Sequence, residues 1–229
     1  MKNMKDNEKE LYSRVIEKGA SWDEADLVVI WYHGFGADAA DCAPIGDVLP
    51  EMGVPGRVRY LFPEADERWC VIPEVAGRAR SWYDYERWFP TVKVKETVDA
   101  AVERVLAFVG RLGERGFPPS KIVLAGFSQG GALAVETAIV SRLPFAGLVA
   151  LSCDFPLLYG DRAGDLEHRL FIGHGTYDAM VPMSWKTTGV GELRRSRLAI
   201  EEHDYPGLGH GICREELRDV AAFITPMLG

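Results

Sequence analysis

The sequence lacks the long apolar runs, paired cysteines and excess of basic residues that mark several classes of protein. No stretch of its 229 residues approaches the roughly 18 consecutive apolar residues of a membrane-spanning helix. The four cysteines are widely spaced and form no CxxC pair, which favours reduced thiols over a disulfide framework. The stretch from Met1 to Glu10 is polar and charged, without the apolar centre of a secretory signal. We therefore expect a cytoplasmic protein without stable membrane insertion.

Basic residues are also too few for a nucleic-acid-binding surface. The chain has 26 Lys and Arg against 34 Asp and Glu, a formal net charge of −8. Because phosphate binding requires Lys and Arg in excess over a surface, we expect no nucleic-acid partner. What the chain does have is an ordinary globular composition, with 47% hydrophobic and 26% charged residues. Length and composition predict a single domain over residues 21–229, preceded by a segment, 1–20, of uncertain structure.

Apolar runs of strand length alternate with longer segments of helical period, which is typical of an α/β fold with a mostly parallel central sheet and helices on both faces. Strands are predicted at 27–33, 58–62, 122–127, 145–152, 170–172 and 198–205, with a weaker candidate at 12–16. Helices are predicted at 94–112, 131–140 and 215–224. Between residues 63 and 90 the pattern fails, and a long irregular segment inside a compact domain is often functional.

The most specific local motif is GFSQG, at residues 126–130, between the apolar run IVLAGF and a helical segment. A serine at a tight strand-to-helix turn is held in a strained conformation, and the residues two positions away must be small to let the chain pass. The helix that follows points its N-terminus at the site and favours negative charge there. This context predicts that Ser128 is a nucleophile. The alternative is an ordinary glycine-rich turn with a solvated serine.

A serine hydroxyl is a poor nucleophile at neutral pH, so Ser128 needs a base that is itself oriented by an acid. At a nucleophile turn of this kind the acid and the histidine follow the serine in chain order, each after a later strand. Asp178 follows the run LFIG, and His210 follows the run LAIEEHDY. Each interval is long enough for one strand-helix crossover. The sequence therefore predicts a catalytic triad of Ser128, His210 and Asp178.

Other residues could fill these roles. Asp154, which follows the run FAGLVALSC, is an alternative acid, and His174 is an alternative base that precedes the predicted acid. His168 and His203 fit solvated or structural positions better. One set of residues has metal-ligand chemistry but loose spacing and no companion motif, so no metal site is predicted: His203, His210 and Cys213.

The tetrahedral intermediate of acyl transfer needs a pair of hydrogen-bond donors for its oxyanion. One is expected from the backbone N–H after the nucleophile, at Gln129, and the other from the loop after an early strand. That loop is HGFGAD, residues 33–38, whose glycines allow an N–H to turn inward. Phe35 is the expected donor, while His33 and Asp38 are expected to support the loop.

With these motifs in place, the chain resembles the phospholipase/carboxylesterase family, which includes the acyl-protein thioesterases. The matching segments are HGFGAD (33–38), FPEA (62–65), SWYD (81–84), AGFSQGG (125–131), LVALSC (148–153), HGTYDAMVP (174–182) and YPGLGHGICREELRDVAAFI (205–224). The resemblance implies an α/β-hydrolase fold, carboxylic ester hydrolase activity and no cofactor. It implies the same triad and the same oxyanion donors, and it implies that the loop around Trp82 lines a groove for the acyl chain.

The chain also departs from the thioesterase branch of that family. Phe35 stands where that branch usually has leucine, Gly211 stands where it has serine after the catalytic histidine, and residues 66–80 differ from its acyl loop. These departures concern the substrate and leave the chemistry unchanged. The aromatic-rich stretch at residues 82–89 has a structural interpretation as well, as core packing under a loop.

The function expected from the sequence is hydrolysis of small-molecule carboxylic esters of short to medium acyl chain. Thioesters and lysophospholipids are related substrates, and the resemblance allows a homodimer through the face near the site. Two alternatives are a serine peptidase on the same fold, which usually carries an added domain that this length does not hold, and a non-catalytic binding module. The second would be favoured by a missing triad member, and none is missing.

Overall fold

The computed structural model describes residues 11–70, 77–88, 91–164 and 166–228. Within these ranges the strands are β1 (Val15–Gly19), β2 (Leu27–Tyr32), β3 (Val58–Pro63), β4 (Glu67–Cys70), β5 (Gly77–Arg80), β6 (Tyr85–Arg87), β7 (Val92–Lys93), β8 (Ile122–Phe127), β9 (Gly147–Leu151), β10 (Arg169–Gly175) and β11 (Ala199–Tyr205). The helices are α1 (Ala39–Cys42), α2 (Ile45–Glu51), α3 (Lys95–Glu114), α4 (Gln129–Ser141), α5 (Met183–Leu193) and α6 (Arg214–Ile224).

Seven strands form the central sheet, in the order β1-β3-β2-β8-β9-β10-β11. All neighbours in this sheet are parallel except β1 and β3, which pair antiparallel at one edge. Parallel strands require crossover connections, and α3, α4 and α5 lie in these connections. The predicted fold class, a mostly parallel sheet with helices on both faces, is confirmed, and each of the six predicted strands is present.

Burial along β2 shows why its sequence is a continuous apolar run. All six of its residues are buried, and successive side chains point to opposite faces. Val28, Ile30 and Tyr32 pack in the cluster that contains the apolar side of α3, while Leu27, Val29 and Trp31 pack in the cluster that contains the apolar side of α6. A strand covered on both faces has no polar side, which explains the absence of alternation. None of the helices in the described ranges is long and apolar enough to cross a membrane.

The segment in which the sequence pattern fails contains short strands rather than irregular chain alone. Within its described part, β4 pairs with β5, and β6 pairs with β7, which follows the segment. Each pair is antiparallel and separate from the central sheet. Strands of two to four residues carry too little periodicity to be detected from sequence. The hairpins follow β3 at the carboxyl end of the sheet, where the predicted site also lies.

The N-terminal segment contributes to the sheet as well. β1 lies within residues 1–20, and it pairs with β3 from Val15 opposite Pro63 to Gly19 opposite Arg59. It begins a few residues after the start of the weak strand candidate in the sequence. Residues 1–10 lie outside the described ranges, and the division of the chain at residue 20 stays a prediction.

Candidate active site

The turn between β8 and α4 holds Ser128 in a strained conformation. Its φ of 53° and ψ of −119° are values that residues other than glycine rarely adopt. The glycines on both sides are required by close contacts: a Cβ on Gly126 would lie 2.4 Å from the carbonyl carbon of Gly130, and a Cβ on Gly130 would lie 2.1 Å from the carbonyl oxygen of Tyr32. The close packing of the backbone of β8, α4 and β2 therefore explains the GxSxG spacing.

The three predicted triad residues lie together at the carboxyl end of the sheet. Ser128 follows β8, Asp178 follows β10, and His210 lies in the loop between β11 and α6. The Ser128 Oγ is 3.1 Å from the His210 Nε2, and the His210 Nδ1 is 2.8 Å from the Asp178 Oδ2. Because a carboxylate only accepts hydrogen bonds, Nδ1 carries the proton and Nε2 is left to accept from the serine hydroxyl.

The carboxylate of Asp178 is fixed by backbone donors. Its Oδ1 accepts from the N–H groups of Met180, at 2.9 Å, and Val181, at 2.8 Å. Burial raises the pKa of Asp178, but the hydrogen bonds from His210 and Val181 outweigh this effect and hold the pKa below its usual value. The carboxylate thus stays charged and oriented, as required of a group that stabilises a histidinium.

The loop that carries Phe35 is held by its neighbours. His33 accepts at Nε2 from the N–H of Ala65, 3.0 Å away, and donates from Nδ1 to the carbonyl oxygen of Gly34 at 2.7 Å. The N–H of Gly36 donates to the carbonyl oxygen of Arg80 at 2.8 Å. Asp38 accepts from two N–H groups at the start of α1. These contacts are the supporting ones expected of His33 and Asp38.

Within the described residues, the backbone N–H groups of Phe35 and Gln129 donate to no other protein group. Ser128 lies between the two loops that carry them: a Cβ on Gly34 would be 3.4 Å from the Cβ of Ser128, and Gln129 is the next residue in the chain. Two unpaired donors beside a serine at the N-terminus of α4 form a site suited to a negatively charged oxygen.

The side chain of Gln129 has a role that sequence reasoning missed. It is fully buried, and its Oε1 accepts from the N–H of Trp82 at 3.0 Å. Its Nε2 donates to the Ser81 Oγ and to the carbonyl oxygen of Tyr83, each at 2.9 Å. The amide therefore ties residues 81–83 to the nucleophile turn. The only sequence signal was the presence of glutamine inside the motif and of SWYD 47 residues earlier.

Trp82 lies beneath the loop that carries Phe35. Its side chain is 4% exposed, and its Nε1–H donates to the carbonyl oxygen of His33 at 2.8 Å. Its indole packs edge-on against Tyr32 and Tyr12, with ring centroids 5.2 and 6.0 Å away. This placement matches the core-packing interpretation of the aromatic stretch. Phe89, at the end of that stretch, lies outside the described residues.

A largely apolar cavity of about 230 Å³ adjoins the site. Phe35 and Tyr83 connect it to the nucleophile turn, since Phe35 directly follows Gly34, which lies against Ser128, and the Tyr83 carbonyl oxygen accepts from Gln129. Trp69, which is 70% exposed, stands at its outer side. Within the described residues its apolar lining consists mainly of Phe35, Trp69, Cys70, Tyr83, Tyr85 and Val94. Trp82 is not part of that lining.

The alternative residues lie elsewhere. The His174 Nε2 is 3.5 Å from the Asp178 Oδ2, and its N–H donates to the carbonyl oxygen of Val181 at 2.8 Å. Burial lowers its pKa. His168 precedes β10, at the opposite end of that strand from Asp178. The carboxylate of Asp154 accepts from two tyrosine hydroxyls, whereas the partner of the His210 Nδ1 is Asp178.

The residues considered for a metal are also engaged otherwise. His203 is 3.1 Å from the Glu201 Oε1, and Cys213 caps α6 by accepting from the N–H of Glu216. Both ring nitrogens of His210 face the other triad members. Among the residues that the structure describes, no group of three His, Cys, Asp or Glu side chains is arranged to hold a metal ion.

Comparison with known proteins identifies the family to which nearly the whole chain is similar. The model of the phospholipase/carboxylesterase family matches residues 12–228. Acyl-protein thioesterase 1 of Yarrowia lipolytica is 28% identical over 209 residues, which cover 84% of this chain and 88% of that relative. Acyl-protein thioesterase 1 of Saccharomyces cerevisiae is 26% identical over 219 residues, which cover 89% and 94%.

Solved structures share the fold. SOBER1 of Arabidopsis thaliana superimposes with a TM-score of 0.78 at 23% identity, covering 89% of this chain and 99% of that one. A phospholipase/carboxylesterase from Dyadobacter fermentans gives a TM-score of 0.69 at 25% identity, covering 92% and 95%. With the family match spanning nearly the whole described chain, the chain belongs to the phospholipase/carboxylesterase family and is a serine hydrolase of the α/β-hydrolase fold.

Proposed function

We propose that this hydrolase cleaves small carboxylic esters of short to medium acyl chain through an acyl-enzyme on Ser128. The observation that carries the proposal is the continuous hydrogen-bonded chain from the Ser128 Oγ through His210 to Asp178. A nucleophile, a base and an orienting acid at hydrogen-bond distance are the parts that acyl transfer requires.

In the first step, the Ser128 Oγ attacks the ester carbonyl carbon while its proton moves to the His210 Nε2. The carbonyl oxygen becomes an oxyanion and accepts from the N–H groups of Gln129 and Phe35. Asp178 stabilises the histidinium through Nδ1. The C–O bond to the leaving group then breaks, and His210 returns its proton to the departing alkoxide. An acyl ester on Ser128 and a free alcohol result.

In the second step, water replaces the alcohol. His210 takes a proton from the water as its oxygen attacks the acyl carbonyl carbon, and the same two N–H groups hold the oxyanion. The bond to the Ser128 Oγ breaks, the serine recovers a proton from His210, and the carboxylic acid leaves. Apart from the ester and the water, these steps use only groups of the chain itself.

The cavity beside Phe35 supports the choice of substrate. Its aromatic lining suits an apolar acyl group, and its volume of about 230 Å³ is below the range typical of pockets for drug-sized ligands. A short to medium chain fits such a cavity better than a long one. The relatives named acyl-protein thioesterase 1 favour thioesters as further substrates, since the same attack on a thioester expels a thiolate.

Ser128→Ala tests the proposal. The variant should fold normally and lose nearly all turnover of p-nitrophenyl butyrate, by roughly 10³-fold or more, because only the oxyanion donors and binding remain. A fluorophosphonate probe should label the wild type and not this variant. The matched control is Ser152→Ala, which removes another buried serine with positive φ at the end of a strand and should leave labelling intact. Labelling of Ser152 or Ser184 would overturn the assignment.

Assays of an ester and a thioester with the same acyl chain, run in parallel, would measure which of the two the enzyme cleaves faster.

The remaining proposals concern partners and location. A net charge of −8 supports a protein without a nucleic-acid partner. The four cysteines are free thiols, which supports a cytoplasmic location. Sedimentation at several protein concentrations tests the proposed homodimer.

A further inference from the structure

A cluster of buried polar and charged side chains lies behind the cavity. Its members are all at most 8% exposed: Tyr83, Tyr85, Lys93, Glu136 and Asp154. Burying charges is costly unless they are paired and hydrogen-bonded, and the charged members of this cluster have such partners. The catalytic steps described above use none of these side chains.

Asp154 is the centre of the cluster. Its Oδ2 accepts from the Tyr85 hydroxyl at 2.6 Å and from the Tyr83 hydroxyl at 3.2 Å. The Lys93 Nζ lies 3.8 Å from the same oxygen and donates to the backbone carbonyl oxygen of Asp154 at 3.0 Å. Burial raises the pKa of both tyrosines well above the usual value, so both hydroxyls keep their protons and act as donors.

Glu136 closes the cluster on the side of α4. Its Oε1 is 3.8 Å from the Lys93 Nζ, and its two oxygens accept from the N–H groups of Leu158 and Tyr159. Burial raises the pKa of Glu136. Lys93 is therefore held between two acidic side chains, and its position on β7 is fixed relative to α4 and to the chain after β9.

Two further contacts join the cluster to the nucleophile turn. The N–H of Asp154 donates to the carbonyl oxygen of Ser128 at 3.2 Å. The Tyr83 hydroxyl lies 3.5 Å from the carbonyl oxygen of Gln129. Tyr83 and Tyr85 also line the cavity, where Tyr85 packs edge-on against Phe35 with a centroid distance of 6.0 Å. Asp154 thus contacts the turn through its backbone and the cavity lining through its carboxylate.

We propose that Asp154 is a positioning residue that sets acyl-chain selectivity, by holding Tyr83 and Tyr85 as a wall of the cavity at a fixed distance from Ser128. This inference rests on the proposed ester hydrolysis and on the cavity as the acyl site. Asp154 touches no reacting atom, because the base pairs with Asp178. Its carboxylate reaches the cavity through the hydroxyls of the two tyrosines.

The test is Asp154→Ala assayed on p-nitrophenyl acetate, butyrate, hexanoate and octanoate. Each methylene that the displaced wall no longer covers costs up to about fourfold in kcat/KM. We expect the octanoate value to fall at least about tenfold, mainly through KM, and the acetate value to fall less than about threefold. The pH profile of kcat/KM should keep its position, since the triad is intact. The matched control is Asp161→Ala, at an exposed aspartate on a 3-10 turn, which should match the wild type.

A second variant keeps the test decisive if Asp154→Ala does not fold. Tyr85→Phe retains the ring and removes one of the two hydroxyl donors, so it should show the same dependence on chain length in weaker form. In the double variant the two effects should not add, because both substitutions remove the same hydrogen bond, from the Tyr85 hydroxyl to the Asp154 carboxylate.

Several outcomes would overturn the proposal. Equal losses on acetate and octanoate, with the fraction of sites labelled by fluorophosphonate unchanged, would assign Asp154 no part in selectivity. Loss of all activity with a displaced pH profile would make it a catalytic acid instead. A purified wild type that hydrolyses no ester, acetate included, would reject the proposed function itself and this inference with it.

Discussion

Trp82 separates two accounts of the aromatic segment beside the active site. If it lines an acyl groove, as the family resemblance implies, its loss should affect long esters most. Its burial and its hydrogen bond to the carbonyl oxygen of His33 indicate instead that it supports the loop before Phe35. We therefore predict that substitutions at Trp82 reduce hydrolysis of all esters to the same degree.

The size of the effect follows from the contacts. Trp82→Phe keeps most of the ring packing but leaves the buried carbonyl oxygen of His33 without its donor, a loss of about 1–3 kcal/mol. Because His33 lies two residues before Phe35, the loss should appear in kcat/KM as a decrease of roughly 5- to 150-fold. Trp82→Ala removes the packing as well and should lower the free energy of unfolding by about 3–5 kcal/mol.

The assay is kcat/KM for p-nitrophenyl acetate, butyrate and octanoate, with urea unfolding of the same samples. Trp22→Phe is the matched control, since Trp22 stacks between Arg59 and Arg115 away from the site and should not alter turnover. Parallel decreases for all three esters would support the loop account. A loss that grows with acyl length, in a variant as stable as the wild type, would refute it and restore Trp82 to the groove.

Two further predictions concern other parts of the fold. Gly130→Ala places a Cβ 2.1 Å from the carbonyl oxygen of Tyr32, so turnover should largely vanish and the midpoint of thermal unfolding should fall. Gly110→Ala, in open space on α3, should instead stabilise the protein by about 0.5–1 kcal/mol. Equal behaviour of the two variants would contradict the packing argument. Burial raises the pKa of Glu216 to about 8, from about 4.5 in the unfolded chain. Its stabilising contribution is full below pH 4.5 and is lost as pH rises to 8, in total on the order of 5 kcal/mol. Urea unfolding at pH 5, 7 and 9 should show this decline in the wild type and a shallower one in Glu216→Gln; identical slopes would show that Glu216 does not titrate in this way.

The central sheet and the triad residues could be predicted from sequence because their signals are local. A strand buried on both faces is a continuous apolar run, and the glycines at 126 and 130 mark a turn whose backbone packing excludes any side chain. The chain order of the acid and the histidine then narrowed the choice to Asp178 and His210. The structure brings these two together with Ser128, while their catalytic roles stay predictions until variants are assayed.

The surroundings of the site could not be predicted in the same way. The hairpins β4–β5 and β6–β7 are too short to show a period, and their pairing depends on the partner strand. Asp154 and Tyr85 are 69 residues apart in sequence, so no local pattern indicates their hydrogen bond. The placement of Trp82 depends likewise on the His33 loop, 49 residues earlier. Contacts between polar side chains that are far apart in the chain produce no periodic pattern in the sequence.

The predicted triad residues follow separate strands, so their alignment depends on the register in which these strands pair. Ser128 follows β8 and Asp178 follows β10, so two pairings through β9 lie between them, and a third joins Gly175 of β10 to Tyr205 of β11 before His210. A slip of one residue in any of these pairings displaces a strand end by about 3.3 Å and turns its side chains to the opposite face. The hydrogen bond between His210 and Asp178 does not survive such a displacement. During refolding, we therefore expect circular dichroism to recover with any sheet of these strands and turnover to recover only when all three pairings are in register.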